Sequence, residues 1–137
     1  MTDAYKTYVS VLGRILLATL FITAGFDKLT HIEATAGYVA SGGLPFPTLL
    51  AGGVGAFELL GGLALVVGWQ VRWVGLAMAL FTLVASLVFH AYWSVPADQQ
   101  FVTQLLFMKN LSVAGGLFLV SALGAGPLSV DDARHRN

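Results

Sequence analysis

Cysteine is absent from the 137 residues. Its absence removes disulfide exchange, thiolate metal sites, iron–sulfur ligation by this chain and any cysteine nucleophile. Charge is scarce: 10% of the residues are charged, where soluble domains carry about a quarter. Seven basic and seven acidic residues cancel, so the balance points to no nucleic acid and no acidic partner. HExxH and His-x-x-x-His spacings are missing, as is any readable Ser/His/Asp set, and no metal site is expected. The GGLPFP stretch at 42–47 follows no strand and precedes no Lys-Ser/Thr pair, unlike a phosphate-binding loop.

Hydrophobic residues make up 57% of the chain, and the mean hydropathy is +0.80. A bilayer span needs roughly 20 apolar residues, and four such runs occur, at about 8–28, 48–69, 73–93 and 101–123. The fold class that follows is an all-α membrane protein, an antiparallel bundle of four transmembrane helices. Residues 1–137 are read as one transmembrane domain in a lipid bilayer. A lysine precedes the first run, as in a signal peptide, but no small-x-small cleavage site follows, so an uncleaved first helix is expected.

An even number of spans puts both termini on one side. That side carries Lys6, Arg72, Arg134 and Arg136, and the other only Lys28, so the positive-inside bias predicts cytoplasmic termini. Trp69, Trp73, Tyr92 and Trp93 fall at span ends, where aromatic belts sit. The one long connection, LTHIEATAGYVASGGLPFP, predicts a short external amphipathic or re-entrant segment over 31–40, turned back by Gly42-Gly43, Pro45 and Pro47. Gly68 to Arg72 makes a tight turn, and the polar tail 129–137 reads as a frayed cytoplasmic end. ELLGGLALVVG and SVAGGLFLVSALG align Gly61-Gly62 with Gly115-Gly116, a faint sign of a duplicated hairpin.

Polar residues inside the spans carry the chemical information, because a charge at a span centre costs on the order of 3 kcal/mol. These are Arg14, Glu58, Lys109 and Asn110, with His90 near the end of the third span. At 1.5 Å rise per residue, Glu58 and Lys109 differ in depth by about 3 Å, which predicts an ion pair between them, with Arg14 reaching up as a competitor. Gly55, Glu58 and Gly62 share one helical face, Lys109, Ser112 and Gly116 another, and Thr82, Ser86 and His90 a third. Asp27, Lys28 and His31 form a polar cluster at the outer surface, where charged residues commonly end a span. Two readings stay open. The network either fixes helix register without chemistry, or its one surplus cation is met by an anion, a carbonyl-bearing ligand, water or loss of the lysine proton.

GRILLATLFITAGFDKL, the LPFP turn, FELLGGLALVVGWQVRW, and FMKNLSVAGGLFLV followed by GAGPLSVD together resemble the pattern of DoxX-like membrane proteins over nearly the whole chain. The resemblance implies a four-helix bacterial inner-membrane protein with cytoplasmic termini. Carried over by position, the family's polar signature falls on Arg14, Lys28, Glu58, Lys109, Asn110 and His90. It further implies redox metabolism: the family's namesake is the small membrane subunit of a thiosulfate:quinone oxidoreductase, and other members are associated with oxidative-stress complexes and with catechols or quinones. No thiosulfate-specific feature is present here. The expected function is a redox-associated membrane subunit whose interior binds a quinone or a similar hydrophobic molecule with a polar head. The chain has no recognisable electron carrier, so a partner or the quinone would carry electrons. The alternatives are a non-enzymatic anchor for a partner oxidoreductase, alone or as a homo-oligomer, and a small-molecule or proton conduit.

Overall fold

The computed structural model describes residues 3–135, without the His135 side chain; Arg136 and the end of the predicted tail lie outside the described residues. The helices are α1 (Asp3–Thr30), α2 (Ile32–Ser41), α3 (Pro47–Val67), α4 (Val71–Phe89), α5 (Ala97–Leu123) and α6 (Val130–His135), with a 3₁₀ turn at Tyr92–Ser94. No strand occurs among the described residues. Four segments are long and apolar enough to cross a bilayer: Asp3–Thr30, Pro47–Val67, Val71–Ser94 and Ala97–Leu123. They contain or closely follow the four hydrophobic runs. Their unpartnered outward faces are rich in leucine, as at Leu12, Leu16, Leu49, Leu60 and Leu119, which suits lipid contact because every backbone polar group is satisfied within the helix.

The spans associate in two antiparallel pairs, α1 with α3 and α4 with α5. Glycine sets the closeness of the first pair. A Cβ on Gly25 would stand 2.5 Å from the Leu59 nitrogen, and one on Gly62 would stand 3.2 Å from the Ala18 carbonyl oxygen. Small residues at such crossings are the membrane solution to helix packing. Gly75 does the same on α4, where a Cβ would lie 3.2 Å from the Leu117 carbonyl oxygen of α5. The fully packed core joins both pairs in the half of the bundle that holds the termini, through Ala18, Phe21, Leu65, Val71, Met78, Ala79, Leu117 and Ala125. Toward the other end, which carries α2, the pairs leave a cleft between them.

A polar clasp closes the terminal end. Ser10 Oγ donates to the Ala125 carbonyl at 3.2 Å, and Arg14 Nη2 to the Leu128 carbonyl at 3.1 Å. Arg72 Nη1 donates to the Ala122 carbonyl at 2.7 Å. The N-cap residue of α4, Gln70, makes no side-chain cap of its own. Asp131 supplies one from 60 residues away: its carboxylate accepts from the Gln70 and Val71 amides at 2.8 and 2.9 Å. Its own amide donates to the Gly68 carbonyl at 3.0 Å. The described part of the tail is therefore a docked helix and not a frayed end. A carboxylate on the free amides of a helix start satisfies orphan donors and opposes the helix dipole.

A candidate ligand cleft at the α2 end

Every Cα–Cβ bond in a helix leans toward the helix N-terminus, and this direction sorts the charged residues of the spans. On α1 it sends the Lys28 side chain back from the end of the helix into the bundle. On α3, which runs the opposite way, it sends Glu58 up toward Lys28. The two meet, with Lys28 Nζ 2.7 Å from Glu58 Oε2. Gly25 and Gly55 lie one turn from each partner and bring the helices close enough for this contact. Glu58 is buried, and Lys28 keeps about a quarter of its side chain exposed. The contact is an ion pair off the line of a hydrogen bond, so Oε2 lacks an aligned donor among the described residues.

Both predicted partners of Glu58 are corrected. Lys109 forms no ion pair with it, although it lines the same cleft. Arg14 leans the other way, toward the start of α1, and is buried at the terminal end. There it lies against the Gly68 turn and the Leu128 carbonyl. Its Nε and Nη1 have no hydrogen-bond partner among the described residues, and the Asp131 carboxylate acts on it electrostatically. Arg14 thus belongs to the clasp. The polar cluster Asp27, Lys28 and His31 also divides. Asp27 and His31 pair with each other at 3.2 Å on an exposed turn, while Lys28 turns inward.

The cleft has a volume of about 190 Å³. Lys28 reaches it from α1, Glu58 from α3, His90 from the end of α4, and Lys109 and Asn110 from α5. Thr82 adds a hydroxyl that is bonded back to the Met78 carbonyl at 2.7 Å. Ser86, one turn on, is buried with an Oγ that lacks a partner among the described residues. Phe21, Phe81 and Phe89 give the walls their apolar area. Helix α2 closes the end. Val39 is buried, Thr35 Oγ1 donates to the Lys28 carbonyl at 3.3 Å, and the Tyr38 ring stacks on Phe89 with centroids 4.7 Å apart. Partial burial pushes the half-exposed Tyr38 phenol above its ordinary value, so it remains a neutral O–H group at neutral pH.

Sequence reasoning left Lys28 in the outer-surface cluster and did not single out Tyr38. The signal for Lys28 was available in its four-carbon stem and in the lean of its Cβ. The signal for Tyr38 was an aromatic residue on the short external segment expected between the first two spans. His31 is exposed and does not line the cleft that His90 joins, and no group of three metal-ligating side chains gathers among the described residues.

Four apolar spans around a cleft of opposed charges define a small multi-pass helical membrane protein. Its sequence matches the DoxX family model over residues 9–91, which takes in most of α1 and all of α2 to α4, and therefore Lys28, Glu58 and His90. The chain belongs to the DoxX family. Inner membrane protein YqjF of Escherichia coli strain K12 is 36% identical over 88% of this chain and 88% of its own length. Inner membrane protein YphA of the same strain is 30% identical over 93% and 91%. The ER-derived vesicles protein ERV29 of Saccharomyces cerevisiae is 26% identical over 96% of this chain, which spans only 36% of that protein. No solved structure matches.

Proposed function

We propose that this DoxX-family protein is an inner-membrane subunit, with both termini in the cytoplasm, that serves redox metabolism. Its cleft holds the oxygen-bearing head of a hydrophobic molecule, of which a quinone is the reference case. The observation that carries this reading is the convergence of Lys28, Glu58, His90, Lys109 and Asn110 from four segments on one aromatic-walled cleft. Charged groups at membrane depth are costly and commonly mark ligand or ion pathways. The volume of about 190 Å³ falls below the roughly 300–1,000 Å³ of sites that enclose drug-sized molecules. It therefore suits a head group, with the hydrocarbon tail leaving between the helix pairs into lipid. Lys109 and Asn110 supply donors for carbonyl or anionic oxygens, the phenylalanines pack a ring, and the Lys28–Glu58 pair holds the floor of the cleft. The inner-membrane names of YqjF and YphA support the location.

Purification in a mild neutral detergent followed by extraction tests this directly. The protein should carry a quinone or comparable lipid, and Lys109→Met should lose it while remaining folded. Equal retention by the variant would remove Lys109 from the site. The Lys28–Glu58 contact favours a second reading, a membrane anchor for a partner oxidoreductase in which the charges only set helix register. Under that reading Lys28→Met lowers stability or partner recovery, and the wild-type protein has no bound molecule to lose.

A further inference from the structure

The chain has seven acidic residues, and none of them compensates Lys109. Asp3, Asp131 and Asp132 belong to the terminal end. Asp27 pairs with His31 on an exposed turn. Glu33 lies in the exposed first turn of α2. Asp98 is in the first turn of α5, about 16 Å up the helix from Lys109. Glu58 is already engaged by Lys28 at 2.7 Å. The cleft therefore contains one neutralised pair and one free ammonium group.

That ammonium sits about 18 Å from the start of α5, close to the middle of a 27-residue helix. A charge near the middle of a span is costly unless it gains a partner or a polar path to the surface. Lys109 is exposed in the isolated chain and lines the cleft. Asn110 beside it contributes an amide, and its side chain makes no hydrogen bond among the described residues. A cation held near the middle of a span, exposed at the cleft and with a neutral donor next to it, is complementary to an anionic oxygen on a hydrocarbon chain.

We propose that the cleft takes an amphiphile whose head is an anionic oxygen group, a carboxylate or an acidic phosphate ester, with Lys109 as its counter-ion and Asn110 as an added donor. This deepens the ligand-binding reading and rests on it: of the oxygen-bearing heads that fit the cleft, the negatively charged ones are selected.

The test uses the full chain in neutral detergent after lipid removal, with thermal unfolding and native mass spectrometry as readouts. Probes of matched chain length are dodecanoate, dodecyl phosphate and dodecanol, with decylubiquinone as an uncharged quinone and phosphatidylglycerol as a two-chain anion. Dodecanoate or dodecyl phosphate should raise the midpoint saturably, and dodecanol should not. Lys109→Gln should weaken the anion by about tenfold or more, and Lys109→Arg should restore much of the loss. Comparing dodecanoate with dodecanol on the wild-type protein needs no variant, so a misfolded Lys109→Gln would not remove the test. Selective retention of dodecanoate over phosphatidylglycerol identifies a free acid as the source, and the reverse identifies a phospholipid; either supports the inference. Dodecanol binding as well as dodecanoate, or decylubiquinone binding that ignores Lys109, would overturn it while leaving the ligand cleft in place. Failure of every probe would overturn both.

Discussion

Replacing Gly25 by alanine should separate α1 from α3 and weaken the site that their contact supports. The new Cβ would meet the Leu59 nitrogen at 2.5 Å, the Gly55 carbonyl oxygen at 2.7 Å and the Leu59 Cα at 2.9 Å. Ordinary Cβ contacts begin at 3.4 Å, so the helices must part by close to 1 Å. All three obstructing atoms are backbone, and no rotamer change can move them aside. Forced overpacking of this kind costs about 1–3 kcal/mol, against a gain of up to about 1 kcal/mol from replacing a helical glycine by alanine. Three backbone clashes under 3.0 Å put the cost in the upper part of that range, so the expected net loss is ~1–2 kcal/mol, read by reversible unfolding in detergent micelles. Gly115→Ala is the matched control, because a Cβ there meets nothing within 4 Å and should be neutral or slightly stabilising. The same separation lengthens the Lys28–Glu58 contact, so Gly25→Ala should also release a bound ligand that Gly115→Ala retains. Equal stability of the two variants would refute the close crossing.

Two further outcomes follow from the contacts at opposite ends of the bundle. Asp131→Ala removes both acceptors from the first amides of α4 and should cost ~1–2 kcal/mol, with Asp131→Asn losing less; an unchanged unfolding midpoint would show that the cap is dispensable. Breaking the Lys28–Glu58 pair from one side, by Lys28→Met or Glu58→Gln, should destabilise by up to about 3–5 kcal/mol. The double variant should cost clearly less than the two singles together, and strict additivity in the cycle would mean that the residues do not interact.

The four spans were readable because 20-residue apolar runs in a chain this poor in charge have few other uses. The short helix between the first two spans was readable for a related reason, since Gly42-Gly43 and the two prolines bounded it. Partner assignment failed at Glu58 for a physical reason. Counting residues gives the height of a Cα, whereas an ion pair is made by side-chain ends that lean toward the N-terminus of each helix. For Lys28 and Glu58 on antiparallel helices the stem of the lysine and the two leans close the gap, and for Arg14 the lean carries the guanidinium to the opposite end. Helix order mattered as well: α1 packs on α3, so the base nearest Glu58 comes from α1 and not from α5. The Asp131 cap was hidden because its partners are backbone amides 60 residues away, and no side-chain pattern encodes them.

The motifs quoted from the sequence separate into parts with different duties once placed on the helices. GAGPLSVD forms the clasp, through the Ala125 and Leu128 carbonyls and the Asp131 carboxylate. AGFDK and ELLGG hold Gly25, Lys28, Glu58 and Gly62, so the residues that bring α1 and α3 together adjoin the charges that this approach unites. The KN pair makes no such contact among the described residues: Lys109 joins no ion pair there, and α5 around it is the least enclosed of the spans. A purely structural network would spread its compensation over all of its charges. Here Lys28 and Glu58 pair with each other, and Lys109 joins no ion pair among the described residues. That asymmetry favours a ligand as the missing partner over a register-setting role for the whole set.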